Sequence, residues 1–341
     1  MQAYITGSGM AVPDRVVTNE ELAPKLGLTP EQITKSSGIN SRRWVAPGTP
    51  TSSLATAALQ AAIDDAALNS SDLDYLIFGT MTPDRFIPGS AAAVQNNLGL
   101  GEIPCLDIRN TCCNTLYSLQ LARALVVSGV VRHVAICLAE VQSPYLDLSP
   151  ASGVISMLFG DGAAAIIVSA EPSDSSLEIV DVYLATDGSH IDDLGIRCPG
   201  TEFGDGVINK DGVGPGDDFP RMVGQSVILH ASRKIAAACQ AVLQRNDLQV
   251  SDVRWMVPHQ ANANLLAQVA RSLRFSTENE SVVSVLQDFG NTSSASMGMA
   301  LDTLRRTGRV QPDDYLLLPA FGAGFNWGAG LCRARSTGEV R

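Results

Sequence analysis

The chain has 341 residues, of which 45% are hydrophobic and 17% charged, and a net charge of −11. That length suits two packed halves or one large α/β unit with a substantial core. The acidic balance argues against non-specific nucleic-acid binding, which needs Lys/Arg surfaces to neutralise phosphate. No run of about 18 apolar residues is present, so no membrane span is expected. Met1 to Val12 lacks a basic start and a long apolar run, so a cytoplasmic chain without a signal peptide is expected. Seven Cys occur without a CxxC pair or a His at ligand spacing. This reads as reduced protein with no metal site.

In chain order, an Ala-rich helix is expected over Ser52–Ala67, with its opening Ser/Thr cluster as N-cap. Apolar, β-branched runs mark strands at Tyr75–Phe78 and Leu106–Ile108. A helix follows over Leu116–Val127, ending near Ser128-Gly129, then strands at His133–Leu138 and Ala163–Val168. The polar segment Ala170–Ser176 reads as a join, giving halves 1–172 and 173–341. Asp187 to Pro220, rich in Gly, Asp and Pro, reads as a long surface excursion. Beyond it come helices at Val227–Gln244 and Asn264–Leu273 and strands at Trp255–Val257 and Tyr315–Leu318. Strands alternating with helices define an α/β class.

Three segments carry the chemistry. In Asn110-Thr111-Cys112-Cys113, the thiol of Cys112 lies between a strand and a helix that begins near Asn114. The positive end of the helix dipole there favours thiolate, and backbone N–H groups can hold an oxyanion. Cys113 competes for the role, and spacing does not separate the two; a buried Cys is also simply a small hydrophobe. His259 follows Trp255-Met256-Val257 and the breaker Pro258, which places it in a strand-end loop. Its plain alternative is a satisfied core histidine. Asn291, between Gly290 and Thr292-Ser293-Ser294, starts an Ala-rich segment, with a helix N-cap as its plain alternative. A thiol, an imidazole and a carboxamide together fit covalent thioester chemistry. Gly322-Ala323-Gly324 makes a tight turn able to aim an N–H at a carbonyl, or serves close packing. Gly7-Ser8-Gly9 lacks the third Gly and the acidic residue of a dinucleotide fingerprint and is set aside.

Seven segments in order resemble the β-ketoacyl-acyl carrier protein synthase III family, over nearly the whole chain. They are Gly7-Ser8-Gly9…Pro13, Ser37-Gly38-Ile39-Asn40-Ser41-Arg42, Leu106-Asp107…Cys112, Phe159-Gly160-Asp161-Gly162-Ala163, Pro258-His259-Gln260-Ala261-Asn262, Gly290-Asn291-Thr292-Ser293 and Ala320-Phe321-Gly322-Ala323-Gly324-Phe325-Asn326-Trp327-Gly328. The resemblance implies a thiolase-like α/β fold of two duplicated halves in five layers, αβαβα. It implies Cys112 as nucleophile, with His259 and Asn291 completing a triad. The N–H groups of Cys112 and Ala323 would be oxyanion donors, and Ile87, Phe321, Gly224 and Asn262 substrate contacts. The implied reaction is acyl transfer to Cys112, then decarboxylative condensation with a malonyl-type thioester. Implied partners are acyl and malonyl thioesters, an acyl carrier protein and a second copy in a homodimer. No metal or cofactor is implied.

Departures from the family point to a specialised member. Its usual coenzyme A contacts, a Trp and several Arg, are replaced by Gln32, Ser36, Ser152 and Asn264. Ile87 stands where a partner-subunit Phe often closes the acyl pocket. An acyltransferase of the same fold, passing the acyl group to an alcohol or amine, is the alternative; Asn291 favours condensation. A hydroxymethylglutaryl-coenzyme A synthase-like reading needs a Glu base, and Gly79-Thr80-Met81-Thr82 has none. The complete Cys/His/Asn set speaks against a non-catalytic partner subunit.

Overall fold

The computed structural model describes residues 2–201, 218–276 and 280–335 of the chain. Strands β1 (Tyr4–Ala11), β2 (Val16–Thr18) and β3 (Ser41–Arg43) enclose helices α1 (Asn19–Leu26) and α2 (Pro30–Ser37). Next come α3 (Thr51–Asp65), β4 (Tyr75–Gly79), α4 (Ala91–Leu98), β5 (Cys105–Ile108), α5 (Asn114–Val127), β6 (His133–Glu140), α6 (Gly153–Ser156) and β7 (Gly162–Ser169). The chain continues through β8 (Leu177–Thr186), β9 (Leu194–Gly195), β10 (Arg221–Met222), α7 (Gly224–Gln244), β11 (Val253–Met256) and α8 (Ala263–Leu273). It closes with α9 (Leu286–Phe289), α10 (Ser296–Arg306), β12 (Tyr315–Gly322) and β13 (Asn326–Ala334).

Nine strands hydrogen-bond in the order β11-β12-β13-β8-β1-β7-β6-β4-β5. The order repeats. In one half, β5, β4 and β6 are parallel, and β7 and then β1 follow antiparallel. In the other, β11 and β12 are parallel, and β13 and then β8 follow antiparallel. A parallel bridge from Val282 to Met256 takes the place that β5 holds in the first half. The halves meet where β1 pairs with β8 at Tyr4↔Glu178 and Ile5↔Leu177.

Side-chain alternation along the strands produces the layers. On β6, Val134, Ile136 and Leu138 face the central core, whereas Ala135, Cys137 and Ala139 face the outer one. Such strands are buried on both faces, so they read as continuous apolar runs. Helices α5 and α10 lie between the half-sheets, through Leu116, Leu119 and Val126 and through Met297, Leu301 and Leu304. Helices α3 and α4 cover one outer face, α7 and α8 the other. The result is the αβαβα arrangement.

Several details depart from expectation. The Ser/Thr cluster does not cap α3 through a hydroxyl. Pro50 occupies the cap position, and the Ser52 N–H is held at 2.9 Å by Asp84 from the loop after β4. Strands β1, β8 and β13 carry no clean apolar run; β1 holds Gly7-Ser8-Gly9 and β8 interleaves Glu178 and Asp181. Within the Asp187–Pro220 excursion, Gly188–His190 forms a 3-10 turn and β9 pairs with β10 just beyond it; residues 202–217 lie outside the described residues.

The set-aside glycines have a packing role. A Cβ on Gly9 would stand 2.6 Å from the Ala58 carbonyl and 2.6 Å from the Ala62 nitrogen, both backbone atoms of α3. Gly7 meets the same helix at Ala62 and Ala66. Their missing side chains let α3 lie against β1. Gly9→Ala is expected to lower stability by about 1–3 kcal/mol through overpacking. Chemical denaturation measures this, and an unchanged midpoint would refute it.

Candidate active site

The nucleophile turn joins β5 to α5. Thr111 adopts φ +53 and opens a 3-10 turn over Thr111–Cys113. Asn114, the first residue of α5, accepts the Asn110 N–H on Oδ1 at 2.6 Å and ties the turn shut. The two cysteines now separate. Cys113 is fully enclosed and its thiol donates to the Asn326 carbonyl at 3.3 Å. Cys112 is partly accessible, with Sγ 3.5 Å from Ser293 Oγ.

The expectation that the helix dipole favours thiolate at Cys112 is not met. Burial pushes the thiol up to about 11, and the nearby Glu140 carboxylate adds to the rise. The Ser293 hydroxyl and the residue's own backbone N–H oppose this more weakly. Helix α5 begins only at Asn114, and desolvation of the charged form outweighs a partial dipole.

Asn291 is set by backbone bonds. Its N–H donates to the Leu158 carbonyl at 2.8 Å, and its carbonyl accepts from Gly160 N–H at 3.2 Å and Gln142 Nε2 at 3.1 Å. A Cβ on Gly160 would strike the Phe289 carbonyl, so this approach needs glycine. The buried Asp161 carboxylate accepts the N–H groups of Val45, Gln142 and Ser143 at 2.7–2.9 Å. The Phe159-Gly160-Asp161-Gly162 segment is thus the brace for Asn291. Asn291 Oδ1 accepts the Ser293 N–H at 2.9 Å, which leaves Nδ2 as a donor.

His259 extends the pairing of β11 with β12, its N–H donating to the Pro319 carbonyl at 2.9 Å. Its Nδ1 lies 2.7 Å from Ser296 Oγ, which also stands 2.9 Å from the Ser293 carbonyl. Burial lowers the imidazole to about 4, so the ring is neutral near pH 7. Ser293, with φ +45, therefore gives its N–H to Asn291, its hydroxyl to Cys112 and its carbonyl to the Ser296–His259 pair.

The β12–β13 hairpin closes the other side. Thr111 Oγ1 donates to the Ala323 carbonyl at 3.3 Å, and a Cβ on Gly322 would lie 3.0 Å from Cys112 N. Phe321 is buried against Phe325, ring centroids 4.7 Å apart. Asn262 caps α8, Oδ1 accepting Asn264 N–H at 2.8 Å, while its Nδ2 donates to the Ser36 carbonyl at 2.9 Å. Gly224 opens α7, and a Cβ there would meet the Met222 side chain at 3.9 Å. Ile87 is 78% exposed, in the loop between β4 and α4.

Two residues escaped the sequence reading. Ser296 is one. The other is Glu140, whose buried carboxylate accepts the Met81 N–H at 3.1 Å and the Thr82 hydroxyl at 3.0 Å. Burial pushes it up to about 7. An acid does reach segment 79–82, from the end of the adjacent β6. A lone Glu closing the apolar run His133–Ala139 was its signal.

Comparison with known proteins bears on the family and the fold. The 3-oxoacyl-[acyl-carrier-protein] synthase III family model matches residues 106–188, and the model of its C-terminal part matches residues 243–334. A β-ketoacyl-[acyl-carrier-protein] synthase III of Nitratidesulfovibrio vulgaris is 36% identical over 336 residues, 97% of this chain and 98% of that protein. One from Chlamydia caviae is 34% identical over 332 residues, 97% of each chain. The crystal structure of 3-oxoacyl-[acyl-carrier-protein] synthase III from Aquifex aeolicus superposes with a TM-score of 0.86 at 30% identity, over 97% of this chain and 99% of that one. The priming β-ketosynthase of the R1128 polyketide pathway gives 0.87 at 29% identity, over 98% and 96%. Fold and likeness define a thiolase-like condensing enzyme of the acyltransferase class. More narrowly, the chain belongs to the β-ketoacyl-acyl carrier protein synthase III family.

No helix among the described residues is long and apolar enough to cross a membrane. With its thiol near 11, Cys112 is expected to react slowly with iodoacetamide at pH 7. The rate should rise about tenfold per pH unit as thiolate forms. Peptide mass spectrometry follows the Cys112 adduct apart from exposed Cys105; a rate already flat by pH 8 would contradict the burial argument.

Proposed function

We propose that Cys112 takes an acyl group from a thioester and that His259 and Asn291 then support decarboxylative condensation with a malonyl-type thioester. The observation that carries this is the convergence of all three on Ser293. In the first step Sγ adds to the acyl carbonyl, with the N–H groups of Cys112 and Ala323 as oxyanion donors, and the donor thiol leaves with a proton. In the second, the malonyl group loses CO2. The enolate oxygen then accepts hydrogen bonds from His259 and Asn291 Nδ2. Its carbon attacks the acyl-enzyme, the β-ketoacyl thioester leaves, and the electron pair returns to Cys112 as thiolate, which takes a proton from solvent to restore the resting thiol. These steps use no cofactor beyond the thioesters. The half 1–172 supplies the nucleophile and the half 173–341 supplies His259 and Asn291. Phe321, Gly224 and Asn262 line the substrate path.

Carrier-bound groups are the preferred donors in this reading. The four residues that replace coenzyme A contacts are occupied within the protein. Gln32 forms a capping box with Thr29, Ser36 Oγ donates to the Gln32 carbonyl, Ser152 Oγ to Asp147, and Asn264 Nδ2 to the Ser36 carbonyl. None offers an aromatic face or a cation. Exposed Arg271 and Arg274, at the far end of α8 from Asn262, would speed encounter with an acidic carrier more than they tighten it.

One assay tests both points. Incubation with acyl thioesters should place the adduct on the Cys112 peptide and none in Cys112→Ala. Asn291→Ala should acylate normally yet condense about 10²-fold more slowly. A given acyl group should be used with higher kcat/KM on carrier protein than on coenzyme A. An adduct on Cys113, or normal condensation by Asn291→Ala, overturns the site reading; equal use of the coenzyme A ester overturns the carrier preference alone.

A homodimer that completes the acyl pocket near Ile87 would also cover Phe86 and Ile87, which are 70% and 78% exposed. Light scattering at micromolar concentration should give twice the chain mass, and a monomer would refute it.

A further inference from the structure

Four buried polar groups meet where α10 begins. The Ser296 hydroxyl lies 2.7 Å from His259 Nδ1, accepts the Gln260 N–H at 3.1 Å and stands 2.9 Å from the Ser293 carbonyl. Ser296 is fully enclosed and His259 is 5% exposed, so water does not settle the pattern. A hydroxyl has one proton, and Ser296 has two acceptors within reach.

We infer that Ser296 is a positioning residue whose hydroxyl donates to His259 Nδ1 and so fixes the neutral tautomer that carries its proton on Nε2. This rests on the reading in which His259 hydrogen-bonds the enolate oxygen. The contact to the ring nitrogen is the shorter of the two. The Gln260 N–H already supplies a donor to Ser296 Oγ, so donation runs one way, from amide to hydroxyl to imidazole. Each bond in such a chain polarises the next.

The competing arrangement is also within reach. In it Ser296 donates to the Ser293 carbonyl at 2.9 Å, and the ring carries its proton on Nδ1 and gives it to Ser296 Oγ at 2.7 Å. Nε2 would then present a lone pair to an oxygen gaining negative charge, and repel it. Because burial keeps the ring neutral, only one nitrogen carries a proton at a time. The Ser296 hydroxyl is what favours the useful form. No proton moves in the step itself. The Nε2–H bond to the oxygen strengthens as CO2 leaves and relaxes when the electron pair returns to Cys112.

The test is nitrogen-15 NMR of the full-length enzyme labelled at histidine. The chain has four His, and the His259 signals are those missing from His259→Ala. Resting wild type should show protonated Nε2 and bare Nδ1. Ser296→Ala should move the proton to Nδ1 and slow condensation by about 10²-fold, with Cys112 still acylated at the wild-type rate. Ser296→Thr, which keeps the hydroxyl, should restore the wild-type tautomer. A wild-type Nδ1–H signal, or an unmoved proton in Ser296→Ala, overturns the inference. If Ser296→Ala fails to fold, the wild-type spectrum still decides. The spectrum is read without substrate, so failure of the condensation reading would show separately, in Asn291→Ala.

Discussion

Ser293 holds the site together by standing in a conformation that L-residues rarely adopt. With φ +45, it turns its N–H, hydroxyl and carbonyl in three directions, toward Asn291, Cys112 and the Ser296–His259 pair. A left-handed backbone at a non-glycine residue costs on the order of 1–3 kcal/mol and persists only where its surroundings over-determine it. Here they do. Asn291 is pinned to Leu158 and Gly160, and the helix that follows is sunk between two half-sheets. Each reactive group has its own backbone anchor, and Ser293 is the residue through which the three are tied to one another.

The repeated topology explains why two such turns face each other. After the strand position held by β5 in one half and by Val282 in the other, the chain passes through a left-handed residue and a 3-10 turn into an inner helix. Thr111 precedes α5 by three residues, and Ser293 precedes α10 by three. One turn presents a thiol, and the other its partner hydroxyl. Their helix-opening residues act in parallel: Asn114 closes its turn onto Asn110, and Ser296 closes its own onto Ser293. The repeated topology sets the geometry, and the side chains that differ between the two turns set the chemistry.

Much of this was legible in the sequence, for identifiable reasons. Strands buried on both faces, such as β6 and β7, announced themselves as apolar runs, and helices α3, α5, α7 and α8 as long Ala-rich or amphipathic segments; inner helix α10 did not. Strands β1, β8 and β13 did not. In β1 the information lies in what Gly7 and Gly9 leave out, and in β8 one face alternates with charge. Cys112, His259 and Asn291 stood out because each sits at an element boundary. Cys112 and Cys113 became distinguishable only through burial. The direction of the Cys112 shift was misjudged because sequence shows the nearby helix start but not the packing density. Glu140 and Ser296 were invisible for a related reason. Each acts on residues brought close by strand adjacency or by a second turn, at separations of roughly 40 to 60 positions along the chain.

The desolvated thiol of Cys112 has a consequence for chemical endurance. Peroxide and disulfides attack thiolates, not thiols. A group held near 11 is ionised in about one molecule in 10⁴ at pH 7. The same desolvation that leaves Cys112 idle between substrates therefore shields it from sulfenic acid formation.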